Sequence, residues 1–227
     1  MSFSTFFSNI GMLLSRYWHV FVLEGVKYTL LLAAIAVVGG TILGALFALG
    51  KRGKIRPLKW LIGAVVEVVR GTPMLLQLYA GVFMLPRIFP ILNEVDDIVS
   101  VTVVLVINSA AYTSEIIRSG IQAVDIGQTE AARSLGLSER TTMLHVVLPQ
   151  AVKNILPALG NEFITVVKET SLASTFFVGE IMTSYLKVKG NTYLTLECLT
   201  IVGAIYFILT FTLSKLLQRA ERRMKHA

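Results

Sequence analysis

Apolar residues occur along the chain in long runs that short polar segments separate. Five of these runs are long enough to cross a bilayer, since a helix rises about 1.5 Å per residue and the hydrocarbon core is about 30 Å thick. They cover residues 26–49, 58–85, 98–117, 155–179 and 194–213. Together they predict an all-α integral membrane protein, with a single transmembrane domain over residues 1–227 and five membrane-spanning helices.

The first twenty residues follow a different pattern. Apolar side chains recur there at helical spacing, and two aromatic residues, Tyr17 and Trp18, follow them. A cleavable signal peptide would begin with a basic segment, which is missing here. The pattern therefore predicts an amphipathic helix over residues 1–20 that lies at the membrane interface.

Basic residues cluster at the ends of the apolar runs and predict the topology. The two clusters are Lys51, Arg52, Lys54, Arg56 and Lys59, and then Lys215, Arg219, Arg222, Arg223 and Lys225. Under the positive-inside rule both clusters are cytoplasmic, which places the N-terminus outside. Lys187 and Lys189, in a turn predicted to be external, run against this rule. The net charge of +7 is also compatible with nucleic-acid binding, but its distribution favours membrane topology.

Several polar residues lie inside the predicted spans. In the second span Thr72 precedes Pro73, which interrupts the backbone hydrogen bonds, and Gln77 follows one turn later. In the third span Asn108, Tyr112 and Glu115 fall at i, i+4 and i+7, on one helical face. These positions indicate either a polar cavity or hydrogen bonding between helices.

The fourth span carries the most charge. Glu162 and Glu169 are seven residues apart and share a helical face, next to Lys168, Thr170 and Ser171. A charge at bilayer depth costs about 2.5–3.5 kcal/mol on insertion scales, so packing alone explains this group poorly. Carboxylates and cations at this depth are suited to a zwitterionic substrate.

Spacing also predicts contacts between and within spans. Gly40, Gly44 and Ala48 recur every four residues and form a stripe on which another helix can pack closely, either within the subunit or between subunits. Glu67 and Arg70, and likewise Glu115 and Arg118, are three residues apart and are predicted to form local ion pairs.

The segment of residues 128–149 is a polar island between two apolar spans. Ala131, Ala132 and Leu135 favour a short helix with a small apolar ridge, and Gly136 stands where a left-handed C-terminal cap is needed. Ser138 can cap a second helix that Pro149 is predicted to end. The pattern predicts a helix-turn-helix that a partner protein binds.

The same segment resembles a known family. Glu130-Ala131-Ala132, Gly136 and Leu148-Pro149 have the spacing of the EAA loop of ABC importer membrane subunits, with Val146 where the family has isoleucine. Three further stretches resemble the subgroup of these permeases that transports polar amino acids. They are Arg70–Pro73 with Gln77, Ala111–Glu115 and Lys168–Leu172, within a resemblance that spans residues 20–217.

The resemblance implies the permease subunit of an importer of polar amino acids in the bacterial cytoplasmic membrane. In this family two such subunits, identical or homologous, form the pathway. Two ATPase subunits bind their cytoplasmic loops, and an extracytoplasmic binding protein delivers the substrate. The ATPase subunits bind ATP, so this chain needs no cofactor. The predicted ATPase-coupling residues are Glu130, Ala131, Ala132, Leu135, Gly136 and Leu137.

The candidate substrate contacts are predicted from their polarity and their depth in the membrane-spanning segments. Glu162, Glu169, Gln77 and Tyr112 come first, followed by Asn108, Lys168, Thr170, Ser171 and Thr72. The carboxylates of the fourth span favour a cationic amino acid such as arginine, lysine or histidine. The sequence does not distinguish a homodimer from a heterodimer.

Enzymatic chemistry has no support in the sequence. The chain has no phosphate-binding G-x-x-x-x-G-K-[ST] motif and no H-E-x-x-H motif. The single Cys198 excludes a disulfide framework, and His19, His145 and His226 are too scattered for a metal site. Two other classes stay open. An ion-coupled secondary transporter would use the buried carboxylates as proton relays, and a non-transporting scaffold would use them to bridge helices.

Overall fold

The structure, a computed structural model, describes residues 3–53 and 55–225, the side chain of Lys225 excepted. Lys54 and His226, which the sequence analysis named, lie outside the described residues. The described part contains helices and no β-strand, which confirms the all-α prediction. The helices are α1 (Phe3–Trp18), α2 (Lys27–Arg52), α3 (Arg56–Gly71), α4 (Met74–Tyr79), α5 (Leu85–Ile88), α6 (Asp97–Gln122), α7 (Ile126–Ser134), α8 (Glu139–Thr142), α9 (Leu148–Glu169), α10 (Ile181–Thr192) and α11 (Thr195–Lys225).

Segments of π-helix and 3₁₀-helix join several of these α-helices. Segments His19–Val26, Ala80–Met84 and Met143–Val147 are π-helical, and Pro90–Glu94 and Thr170–Phe176 are 3₁₀-helical. The first of them makes α1 and α2 one uninterrupted helical run, Phe3–Arg52. The predicted N-terminal helix is therefore present, but nothing separates it from the first span. Its location at the membrane interface stays a prediction.

Three helical runs in the described part are long and apolar enough to cross a membrane: Phe3–Arg52, Asp97–Gln122 and Thr195–Met224. A fourth results if Arg56–Gly71 and Met74–Ile88, which meet at a bend of 113°, form one span. The predicted span over residues 155–179 differs from the structure, because α9 ends at Glu169 and a 3₁₀ segment follows. Five spans therefore stay a prediction.

Helices α2 and α6 form the centre of the molecule and pack on each other more extensively than any other pair. The stripe of small residues makes this approach possible. A Cβ added at Gly40 would lie 2.7 Å from Ser109 Oγ, and one added at Gly44 would lie 2.7 Å from the Ala110 carbonyl oxygen. For these two glycines the structure thus shows packing within one subunit.

A second apolar cluster holds the N-terminal run against the C-terminal helices. Leu13 and Phe21 are fully buried there against α10 and α11. Asn9 Nδ2 donates to Glu197 Oε1 at 2.8 Å, and Glu197 is 2% exposed. The outer face of α2, by contrast, exposes large apolar side chains such as Val38 and Ile42, as expected of a surface that faces lipid.

Candidate functional site

The bend between α3 and α4 forms the first part of the site. Pro73 cannot donate a backbone hydrogen bond and keeps Thr72 extended, at φ −117° and ψ 148°. The last carbonyl groups of α3 therefore need other donors. Thr72 Oγ1 donates to Val68 O at 2.8 Å, and Gln77 Nε2 donates to Val69 O at 2.6 Å and to Thr72 O at 3.0 Å. Gln77 thus closes the end of α3 across the bend.

The polar face of α6 lies against this bend. Asn108 is 4% exposed, and its Nδ2 donates to Gln77 Oε1 at 2.9 Å. Of the two interpretations of Asn108, the structure shows hydrogen bonding between helices. One turn further, the Arg70 guanidinium carbon lies 5.5 Å from the centre of the Tyr112 ring. Thr72, Gln77, Asn108 and Tyr112 therefore gather where α3, α4 and α6 meet.

Glu115 lies at the end of this face and joins three helices. Its carboxylate contacts Lys51 Nζ at 2.8 Å and Arg118 Nε at 2.7 Å, and Arg70 Nη1 is 3.9 Å away. The predicted local pair of Glu115 and Arg118 is confirmed. The predicted pair of Glu67 and Arg70 is wrong, because Arg70 turns toward Glu115 and Glu67 is exposed, outside every ion pair of the described residues.

The carboxylates of α9 form the second part of the site. Glu162 and Glu169 are both partly buried, and neither forms an ion pair within the described part of the chain. The side chain of Ser109 on α6 approaches Glu162, although the Ser109 hydroxyl is buried without a hydrogen-bond partner. Glu162 thus lies next to α6, and neither carboxylate has a cation within ion-pair distance in the described part of the chain.

The three other candidate residues of this region differ in exposure and hydrogen bonding. Lys168 is exposed, whereas Thr170 is buried and donates to Val167 O at 2.8 Å. The carbonyl group of Ser171 accepts from Ser174 Oγ at 2.7 Å within the 3₁₀ segment. No hydrogen bond or ion pair among the described residues joins this group to Gln77 and Asn108. The candidate substrate residues thus form two groups, one where α3, α4 and α6 meet and one on α9 and the 3₁₀ segment that follows it.

The turn between α7 and α8 (residues 135–138) has the geometry that the sequence predicts. Gly136 adopts φ +86°, and the Leu137 and Gly136 amides donate to Ala132 O and Arg133 O. This pair of bonds is the Schellman motif, which only a residue tolerant of the left-handed region closes easily. Ser138 Oγ then accepts from the Thr141 amide at 3.1 Å and caps α8.

The surface of this turn is apolar and open. Leu135 is 83% exposed, whereas Ala132 is 5% exposed and packs beneath it. Glu130 and Ala131 are also exposed. Glu130, Ala131 and Leu135 of the predicted coupling surface are thus accessible in the described part of the chain.

Pro149 does not end the second helix, which corrects the prediction. The chain continues as helix from Glu139 to Glu169, with the π-helical segment Met143–Val147 in the middle. The wider turn starts a new α-helical stretch at Leu148, so Pro149 occupies its first turn, where its missing amide hydrogen is not needed. No loop therefore separates α8 from α9.

Sequence reasoning missed Glu180, a fully buried carboxylate. It accepts from the Met182 and Thr183 amides at 2.6 Å each, and from Tyr206 Oη at 3.0 Å. Glu180 thus caps α10 and ties it to α11. An acidic residue directly before a helical pattern is the local signal that could have indicated the cap, but the bond to Tyr206 has no local signal.

Apolar helices with a broken span, an intramembrane polar face and an exposed turn between two long helices define a membrane transport subunit. Residues 40–226 match the family of binding-protein-dependent transport system inner membrane components. The chain belongs to this family. In such importers the ATPase is a separate subunit, so the chain is a permease subunit and not itself an ATPase.

Characterised relatives and a solved structure agree with this assignment. The arginine transport system permease protein ArtQ of Bacillus subtilis (strain 168) is 40% identical over 205 residues, which are 90% of this chain and 93% of ArtQ. The L-cystine transport system permease protein TcyB of the same organism is 36% identical, over 88% of this chain and 85% of TcyB.

The crystal structure of an amino acid ABC transporter with histidines contains a chain that superposes with a TM-score of 0.88. That chain is 42% identical, and the match covers 93% of this chain and 97% of the other. The resemblance to permease subunits of polar amino acid ABC importers is thereby confirmed.

Proposed function

We propose that the protein moves polar amino acids across the cytoplasmic membrane and that its α7–α8 turn couples this movement to an ATPase subunit. The observation that carries the proposal is the position of the turn. α6 enters it through a short link, Ala123–Asp125, and α9 leaves it through an unbroken helix. The helices that bear Asn108 and Glu162 are thus attached on either side of the surface where Leu135 is exposed.

The coupling mechanism follows from this connection. Closure of the ATPase subunits pushes on Glu130, Ala131, Leu135 and neighbouring residues of the turn. Because α8 and α9 form one helical run, the push rotates α9 against α6. One group of candidate substrate residues lies where α3, α4 and α6 meet and the other begins on α9, so this rotation changes their separation and switches access to the substrate.

The orientation of the chain is part of the proposal, with the N-terminus outside and the C-terminus in the cytoplasm. The Lys51–Glu115 ion pair supports it, because the pair places the basic end of α2 beside the end of α6 that leads to the turn. A reporter enzyme that is active only in the cytoplasm, fused after the C-terminus, tests this orientation. Activity of an exclusively extracytoplasmic reporter at that position would contradict it.

A complete importer needs partners that complement this chain. We infer an ABC ATPase subunit on the α7–α8 turn, a second copy of the chain or a homologous permease beside it, and an extracytoplasmic amino-acid-binding protein. With one partner permease and five spans in each chain, the apolar outer faces are covered by lipid and by the second subunit.

A cationic amino acid is the proposed substrate class. Glu162 and Glu169 support it, because two partly buried carboxylates that form no ion pair among the described residues favour a ligand that brings positive charge. A second group of candidate contacts lies where α3, α4 and α6 meet: Gln77, Tyr112, Asn108 and Thr72. Lys168, Thr170 and Ser171 are close in sequence to Glu169. An α-carboxylate can bind there to the lysine or to hydroxyl groups.

The test of the coupling proposal is affinity purification of the chain from its native membrane with its partners. Gly136→Arg is expected to abolish recovery of the ATPase and uptake. Nothing lies within 4 Å of a Cβ at Gly136, so the arginine points outward into the docking surface. The matched control is Gly136→Asn, which tolerates the left-handed conformation with a short side chain, and it is expected to keep both. Normal ATPase recovery with Gly136→Arg would refute the assignment of the turn.

A further inference from the structure

A cavity lies at the opposite end of α6 from the α7–α8 turn. It opens between the π-helical segment His19–Val26, the start of α2, the start of α6 and the end of the 3₁₀ segment, and its volume is about 790 Å³. A helix of the length of α6 spans about 39 Å at about 1.5 Å per residue, so in the proposed orientation the cavity faces the outside. Its volume is within the range of small-molecule sites.

Five charged residues line this outer cavity: Glu24, Lys27, Asp96, Asp97 and Lys187. Lys187 Nζ and Glu24 Oε2 are 3.2 Å apart and compensate each other. The other three belong to no ion pair in the described part of the chain. The Lys27 ammonium lies 6.0 Å from the centre of the Tyr28 ring. One cation and two carboxylates are thus available to a ligand.

This set of charges is the complement of a cationic amino acid, which has one carboxylate and two positive groups. We propose that the outer cavity is a first binding subsite for such an amino acid. Lys27 binds the α-carboxylate, and Asp96 and Asp97 bind the ammonium group and the cationic side chain. The inference rests on the proposed function for the substrate class and adds a second site to it.

The floor of the cavity connects it to the intramembrane residues. Phe176 lines the cavity and is 7% exposed, and its ring centre lies 5.5 Å from that of Tyr79 and 5.6 Å from that of Phe83. Phe176 is the last residue of the 3₁₀ segment that begins at Thr170. A single segment therefore joins the outer cavity to the candidate intramembrane contacts Thr170 and Ser171.

Two simpler roles for these charges make different predictions. Asp96 at the N-cap of α6 and Asp97 in its first turn are favourable to the helix dipole, but this role does not involve Lys27. The same charges at the outer surface would also be suited to docking of the binding protein. If the charges serve docking, their removal weakens capture of the binding protein. If they form a subsite, their removal weakens binding of the amino acid even when the binding protein is absent.

The experiment measures equilibrium binding of radiolabelled L-arginine to the complete importer complex in lipid nanodiscs, with the binding protein omitted. Two classes of site are expected. Lys27→Ala and Asp97→Asn each lower the affinity of one class by about tenfold or more, as the loss of a charge-assisted bond implies. Glu162→Gln is expected to lower the affinity of the other class of site. Agmatine is arginine without its carboxylate. Its affinity is expected to fall in the Asp97→Asn variant and to stay unchanged in the Lys27→Ala variant.

Lys189→Ala and Glu94→Gln are the matched controls, since both residues are close in sequence to the cavity lining and do not line it. Arginine binding that is unchanged in the Lys27 and Asp97 variants would overturn the subsite. If capture of the binding protein falls while arginine binding stays unchanged, the charges belong to docking. A wild-type complex that neither binds nor transports L-arginine or L-lysine refutes the proposed substrate class; failure of the subsite alone leaves wild-type uptake intact.

Discussion

At the scale of single residues, Glu115 has the largest number of distant ionic partners in the described chain. It meets a lysine from α2 and arginines from α3 and α6. Only the arginine of α6 is close to it in sequence. A carboxylate that is 17% exposed and contacts three cations keeps those cations together, because without it they repel one another.

Glu115→Gln is therefore expected to lower the free energy of unfolding by about 1–2 kcal/mol, which is the range for charged hydrogen bonds in a partly exposed site. The measurement is the thermal unfolding midpoint of the purified complex. Glu24→Gln is the control, because the Glu24–Lys187 pair is nearly half exposed on both sides and is expected to contribute about 0–1 kcal/mol. Equal shifts in both variants would show that Glu115 is an ordinary surface charge.

At the scale of helices, small residues decide how α2 and α6 pack. At Gly44 an added Cβ would lie 2.7 Å from Ala110 O, 2.9 Å from Thr113 Cβ and 3.0 Å from Ser114 N. Two of these three atoms are backbone, which cannot yield by changing a rotamer. The close approach also brings the buried hydroxyls of α6 next to the backbone of α2.

Gly44→Ala is expected to destabilise the protein by about 1–3 kcal/mol because it overpacks this contact. Gly203→Ala in α11 is the matched control, since nothing lies within 4 Å of a Cβ there. The control is expected to be neutral or to gain up to about 1 kcal/mol from the better helix propensity of alanine. Thermal unfolding of the two variants side by side decides the point, and a Gly44→Ala protein as stable as Gly203→Ala would contradict the tight packing.

At the scale of the whole molecule, the outer cavity, the carboxylates of α9 and the α7–α8 turn follow one another along α6 and α9. The bend at Thr72–Pro73 is closed by Gln77 and Asn108, so α4 is anchored to α6. α9 has no equivalent polar anchor through Glu162 or Glu169 in the described part. The structure thus combines a fixed side and a charged side around the proposed substrate path.

Glu162→Gln is expected to raise the KM for L-arginine uptake by at least about tenfold, because it removes a charge-assisted contact, and to leave ATPase recovery unchanged. Glu67→Gln, at an exposed carboxylate of α3 outside any ion pair, is the control. Competition between L-arginine, L-lysine, L-glutamine and L-glutamate in uptake assays measures the preference. Wild-type uptake that L-glutamine or L-glutamate inhibits better than L-arginine does would refute a cationic substrate.

The sequence predicted the helical architecture, the bend at Pro73 and the left-handed Gly136 because each depends on local chemistry. Apolar periodicity, the missing amide hydrogen of proline and the freedom of glycine act within a few residues. The same local reasoning failed for Glu67 with Arg70 and for Pro149. Arg70 turns instead toward Glu115 and Tyr112 on α6. A π-helical turn places Pro149 in the first turn of α9, where no backbone amide hydrogen is needed.

By itself, then, the sequence determined that this protein is an all-helical membrane permease with a glycine-capped turn between two helices, since hydrophobicity, turn chemistry and motif spacing are local properties. Only the tertiary structure decided that Gln77 closes α3 and binds Asn108, that Lys51 reaches Glu115, and that Glu180 holds Tyr206. The contacts of Gln77 with Asn108, of Lys51 with Glu115 and of Glu180 with Tyr206 join residues 26 to 64 positions apart. They depend on how the helices pack in space, and helix packing leaves no signal in the neighbouring sequence.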